Sequence, residues 1–124
     1  MYYIAVTPEF GRGLYASDKL LAGETIEVCE VLPLSETDTQ TVNTTDLKHY
    51  TFKYSDTRDC LVLGCGELFN HSDTPNVKYS LVKRGDRLVM EFKLIKDVYR
   101  AEQLFIDYNH DTKATESYNV NLIK

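Results

Sequence analysis

The chain has 124 residues and a formal net charge of −5, one domain's worth of polypeptide on the usual ~100–200 residues per domain, so a single domain over 1–124 is expected and a second catalytic or regulatory one is not. Hydrophobic residues make up 43% and charged residues 27%, ordinary globular usage that excludes intrinsic disorder and a coiled coil. Nineteen acidic against fourteen basic residues oppose a phosphate-binding surface: direct nucleic-acid binding is not expected, and a basic partner suits the chain better.

Val, Ile, Thr, Tyr and Phe together account for 41 residues and Ala for five, a balance that predicts a mostly β fold. The first strand is expected at Tyr2 to Val6. This start lacks the charged head and apolar length of a signal peptide, and no run of ~18 apolar residues follows, so no membrane segment is expected and the chain reads as soluble and intracellular. Gly11-Arg12-Gly13 is a G-x-G turn entering an apolar run. A second strand is predicted at Thr25 to Leu34. From Ser35 to Asp46 five threonines and almost no apolar residue predict an exposed loop. Asp46 is then placed to cap a short helix, Leu47 to Tyr54, of weak intrinsic propensity. Leu61 to Leu63 is a candidate strand. Asn76 to Val82 and Arg87 to Ile95 flank Lys83-Arg84-Gly85-Asp86, the best hairpin signal in the chain. Leu104 to Tyr108 is predicted as another strand, and His110 to Lys124 is polar until Val120. Cys29, Cys60 and Cys65 form no C-x-x-C pair, which argues against a disulfide framework or structural zinc and for small core residues.

Three segments carry possible chemistry. The G-x-G of Gly11 and Gly13 would let backbone amides approach a ligand, but it lacks the third glycine and the βαβ setting of a dinucleotide fold. Asn70-His71-Ser72-Asp73-Thr74-Pro75-Asn76 sets groups capable of several directed hydrogen bonds directly after Leu68-Phe69. Glu102-Gln103-Leu104-Phe105-Ile106-Asp107-Tyr108 is an apolar strand ending in a tyrosine. Read singly, the three are better taken as an ordinary turn, a satisfied core histidine and a core aromatic.

In this order and spacing the three resemble the SET domain, with G-x-G near the N-terminus, N-H-S-x-x-P-N in the middle and E-E-L-x-x-D-Y near the end. Asn70, His71, Ser72, Pro75 and Asn76 match the middle motif with its spacing intact. The likeness is greatest to the family's small viral members of the chlorella-virus type. Asp73 stands where many relatives carry Cys, Gln103 replaces the second Glu, and Ala101 replaces a Gly.

The resemblance implies a β-clip fold of several small sheets and few short helices, with a pseudoknot-like C-terminal threading that brings the Asn70 and Tyr108 segments together. It also implies methyl transfer from S-adenosyl-L-methionine to a lysine of a protein substrate, with a histone tail or another basic segment as the partner. The cofactor would lie against Gly11, Arg12, Gly13, Asn70 and His71. Tyr108 would be the catalytic residue where cofactor and substrate meet, and Tyr50, Tyr79 and Ile106 would line the lysine channel. Tyr118 either stacks on the adenine or packs on the surface. No metal is expected, since cysteine-rich flanks are missing. A homodimer is compatible with the viral likeness, and a nuclear location in a host would follow from a viral source.

The chemistry needs a neutral amine, whereas a free lysine titrates near ~10.4. A dry aromatic channel and the positive sulfur of the cofactor both disfavour the ammonium. A tyrosine suits such a channel because it brings one directed polar handle and no charge. Two other readings compete. Cys65, His71 and Asn70 lack the separated arrangement of a cysteine peptidase. A catalytically inactive SET-like module that binds a basic peptide keeps the same pocket, and the presence of Tyr108 with Asn70-His71 argues against it.

Overall fold

The computed structural model describes residues 1–109. Nine strands, one α-helix and two 3-10 turns follow one another among them, and no helix of the described residues is long and apolar enough to cross a membrane. The chain divides into two compact units. One contains Met1–Val28, Leu68–Tyr79 and the segment that begins at Glu91; the other contains Cys29–Glu67 and Ser80–Met90.

The first unit is built on a four-stranded sheet of β1 (Tyr2–Thr7), β2 (Gly11–Ala16), β6 (Asn70–His71) and β9 (Gln103–Ile106), in the order β1-β2-β9-β6. β1 and β2 pair antiparallel in the register Tyr2↔Ala16 to Thr7↔Gly11. The G-x-G, expected as a turn, is therefore the start of a strand. β9 pairs antiparallel with β2 through Leu14↔Leu104 and parallel with β6 through Asn70↔Phe105 and His71↔Ile106. Leu14, Ala16, Leu104 and Ile106 are fully buried, the inward half of the period-2 alternation. Phe69 stacks on Phe92 with ring centroids 4.6 Å apart. β9 is shorter than predicted: it stops at Ile106, and Tyr108 lies beyond its end.

β3 (Thr25–Pro33), β4 (Thr51–Lys53), β5 (Asp59–Val62), β7 (Val77–Arg84) and β8 (Arg87–Leu94) form the second sheet, ordered β4-β5-β3-β8-β7. The hairpin signal holds. Only Gly85 and Asp86 separate β7 from β8, and Gly85 takes φ +61°, the left-handed conformation a glycine adopts freely.

Two elements of the second unit correct the sequence reading. The Thr-rich stretch is not a loop: α1 spans Glu36–Val42, with Ser35 as N-cap accepting from the Asp38 amide at 3.0 Å. Glu36 and Asp38 in its first turn complement the helix dipole. Thr39 is buried there, and its Oγ1 accepts from the Asp59 amide at 3.0 Å. The helix expected over Leu47 to Tyr54 is a single 3-10 turn, Asp46–Tyr50, capped by Thr45 rather than Asp46. The chain then extends into β4, paired Phe52↔Cys60 with β5, as β-branched and aromatic residues favour. Cys29 and Cys60 are core residues as expected, whereas Cys65 is only half-buried.

Candidate active site

Within the first unit, β9 brings the three motif segments together. Asn76 does much of the fastening. Its Nδ2 donates to the Gln103 carbonyl at 2.9 Å and its Oδ1 accepts from the Phe105 amide at 2.8 Å. A buried side chain thus replaces the backbone partners that a neighbouring strand would supply. The Ser72 amide adds a bond to the Ile106 carbonyl at 2.9 Å.

Asn70 joins the glycine segment to the late motif. Its Nδ2 donates both to the Arg12 carbonyl, at 2.9 Å, and to Gln103 Oε1, at 2.8 Å. Two acceptors on one amide nitrogen fix which way the side chain faces, with Oδ1 turned away from both. Gly13 makes the arrangement sterically feasible: a Cβ there would lie 2.6 Å from Gln103 Oε1 and 2.8 Å from Asn70 Nδ2. Arg12, Gly13, Asn70 and Gln103 therefore form one cluster.

Tyr108 is anchored at both ends. Its amide donates to His71 Nδ1 at 2.9 Å and its hydroxyl donates to the Phe69 carbonyl at 2.8 Å. The two rings lie tilted at 50° with centroids 5.1 Å apart. Because the hydroxyl hydrogen points to Phe69, the phenol oxygen can serve an incoming group as an acceptor. Tyr79 is buried, and its hydroxyl lies 3.1 Å from the Asp107 carbonyl and 3.4 Å from that of Tyr108. Ile106 is fully buried on the same strand end.

His71, Asp73 and Asp107 each place one ligand atom within 4.8 Å of the others. Their bonding accounts for that proximity without a cation. His71 Nδ1 accepts from Tyr108, Nε2 faces Asp73 Oδ1 at 2.9 Å, and Asp107 Oδ1 accepts from the Asn109 amide at 2.9 Å.

The structure thus gathers Gly11, Arg12, Gly13, Asn70, His71, Tyr79, Ile106 and Tyr108 on one unit. Tyr50 belongs to the other, at the end of the 3-10 turn and 41% exposed. Tyr118 lies outside the described residues. Sequence reasoning did not foresee the parts played by Gln103 and Asp73, which it met only as departures from a pattern, nor by the Phe69 carbonyl, which no side-chain motif reveals.

Known proteins resemble this chain in sequence and in fold. The family model described as the SET domain matches residues 11–109. A histone-lysine N-methyltransferase of Schizosaccharomyces pombe, specific for lysine 37 of H3, is 31% identical over 103 residues, 82% of this chain and 69% of the relative. Two solved structures share the fold. One is a candidate histone methyltransferase of Plasmodium falciparum, at TM-score 0.69 and 24% identity, aligned over 90% of this chain and 96% of that one. The other is a humanized mutant of the Chaetomium thermophilum Polycomb Repressive Complex 2 bound to the inhibitor GSK126, at TM-score 0.71 and 18% identity, aligned over 88% of this chain and 15% of that one. The chain belongs to the SET-domain family of protein-lysine methyltransferases.

Proposed function

We propose that the chain transfers a methyl group from S-adenosyl-L-methionine to the side-chain amine of a lysine in a basic protein segment of the histone-tail kind. The observation that carries the reading is Tyr108, fixed by His71 at its amide and by Phe69 at its hydroxyl, beside the Asn70, Gly13 and Gln103 cluster.

The donor set suits the amino-acid end of this cofactor. Asn70 Oδ1 faces away from its two acceptors and is suited to receive an ammonium. The exposed Arg12 guanidinium has no partner among the described residues and matches a carboxylate. When bound, the cofactor supplies an electrophilic methyl on a positively charged sulfur. The protein's share of the work is to bind, orient and exclude water. Tyr108 offers its oxygen lone pairs to the amine or to the polarised methyl hydrogens, and it brings no charge that would hold the lysine proton. The buried Tyr79 and Ile106 form a dry wall of the channel, which disfavours the ammonium form of the substrate. No step requires a metal.

Because the Schizosaccharomyces pombe relative is named for a lysine of histone H3, histone tails are the first substrates to test, and the net charge of −5 favours encounter with such basic tails. The test incubates the protein with methyl-labelled S-adenosylmethionine and core histones or a total lysate, with labelled lysines identified by mass spectrometry. Labelled lysine in a basic segment is expected. Cofactor binding by calorimetry with no label on any protein would overturn catalysis in favour of a peptide-binding module.

A further inference from the structure

We propose that Asp73 is a positioning residue: it holds the His71 imidazole in the tautomer that anchors the Tyr108 backbone. The starting point is a bond whose direction is unambiguous. The Tyr108 amide can only donate, so at 2.9 Å His71 Nδ1 must present a lone pair. The ring hydrogen of a neutral imidazole is then on Nε2, and 2.9 Å from Nε2 lies Asp73 Oδ1, a carboxylate oxygen that can only accept. Donor and acceptor alternate without conflict from Asp73 through the ring to Tyr108.

The opposite tautomer would break this chain at both ends. A hydrogen on Nδ1 would confront the Tyr108 amide with a second donor, and a bare Nε2 would confront the carboxylate with a second acceptor. Asp107 Oδ1, 3.7 Å from Nδ1, could draw such a hydrogen toward itself. Asp73 on the far side of the ring opposes that alternative.

Packing does not account for Asp73. Its side chain is 94% exposed, while that of His71 is 32% exposed. The loop around it is held independently, by the Ser72 amide on the Ile106 carbonyl and by the Thr74 amide on Ser72 Oγ at 3.0 Å. What Asp73 touches is the histidine that fixes one of the two anchors of Tyr108. Its influence on catalysis therefore passes through His71, and that part rests on the function proposed above for Tyr108.

The experiment uses the full chain and three variants, Asp73→Asn, Asp73→Ala and Asp73→Lys. Asn keeps an acceptor, Ala removes it, and Lys can only donate. The near-complete exposure of the side chain makes each compatible with folding. A long-range proton–nitrogen correlation spectrum of nitrogen-labelled protein, in which only three histidines appear, reports the tautomer directly. Hydrogen exchange of the Tyr108 amide reports the bond. The wild type should show the Nε2–H form with a protected Tyr108 amide. Asp73→Lys should shift His71 toward the Nδ1–H form and speed exchange at Tyr108, and Asp73→Asn should restore the wild-type pattern. In turnover, kcat should fall about three- to ten-fold in Ala and Lys with KM within about twofold, and Asn should stay within about twofold of wild type. An Nδ1–H tautomer in the wild type, or an unchanged His71 and Tyr108 amide in Asp73→Lys, overturns the proposal. If the wild type proves inactive, the proposed function fails, while the spectra still decide the role of Asp73.

Discussion

Replacing Glu67 by glutamine should change how stability depends on pH. Glu67 Oε1 accepts from the Val62 amide at 2.8 Å, while Oε2 is removed from water with no hydrogen-bond partner among the described residues. Burial pushes its pKa from an ordinary 4.5 to about 7, against the opposing pull of the Val62 amide. Below about 4.5 the carboxyl is protonated in folded and unfolded chains alike, and the folded state suffers no penalty. Between 4.5 and about 7 the unfolded chain releases its proton while the folded chain retains it, so stability falls as pH rises. Above that range the loss is complete and constant. The full gap between 4.5 and 7 would correspond to ~3 kcal/mol at ~1.4 kcal/mol per pH unit. Glu67 is only half-buried, so solvent screening reduces this to about 1–2 kcal/mol. Glu67→Gln keeps the acceptor for Val62 and cannot ionise. Urea unfolding followed by far-ultraviolet circular dichroism, which suits a chain without tryptophan, should show the wild type losing about 1–2 kcal/mol relative to Glu67→Gln between pH 4.5 and 7.5. Parallel stability curves for the two proteins would refute the reasoning.

Gly13→Ala should weaken S-adenosylmethionine binding by about tenfold or more, read by calorimetry, because its Cβ would enter the space of Gln103 Oε1 and Asn70 Nδ2. Ala101→Gly should raise the unfolding midpoint, adding about 0.5–1 kcal/mol: Ala101 holds φ +71°, where a β-carbon is strained, and that relief outweighs the extra freedom of the unfolded chain. Tyr108→Phe should lower kcat at least tenfold with cofactor affinity within twofold, measured by single-turnover kinetics and calorimetry, since the hydroxyl that donates to Phe69 is assigned to transition-state geometry. The wild type should give mainly monomethyl-lysine, and Tyr79→Phe should shift the product toward di- and trimethyl-lysine. Tyr79 bonds the backbone of Asp107 and Tyr108 beside the proposed amine site, and mass spectrometry of a single-site peptide checks the outcome.

The strands that alternate cleanly were legible in the sequence: β1, β3, β7 and β8 fall within two residues of their predicted bounds, and Gly85-Asp86 announced the hairpin. α1 was not legible, because five threonines in twelve residues carry little helical propensity. What holds Thr39 in a helix is its contact with Asp59, 20 residues away. Gly11 to Gly13 read as a turn because glycine disfavours strands in isolation. The close approach of Asn70 and Gln103, which only the folded chain brings, makes Gly13 the residue that fits. The same limit applies at the site. Asn70, His71 and Tyr108 could be singled out by type and spacing, but the sharing of Asn70 between Arg12 and Gln103, and of His71 between Asp73 and Tyr108, depends on tertiary geometry that spacing does not encode.

The central place of β9 in its sheet has a kinetic consequence. Its partners Leu14 and Asn70 come from stretches about 90 and 35 residues earlier in the chain, so each pairing must close a long loop before any contact rewards the lost entropy. Folding of this unit should therefore fall in the slow regime of non-local β proteins, on the order of milliseconds to seconds rather than microseconds. The site should mature as a single late event. Asn70 meets Gln103, and His71 meets Tyr108, only once β9 has docked. During refolding, recovery of the Tyr108 environment should coincide with the slowest phase, and no early species should bind cofactor.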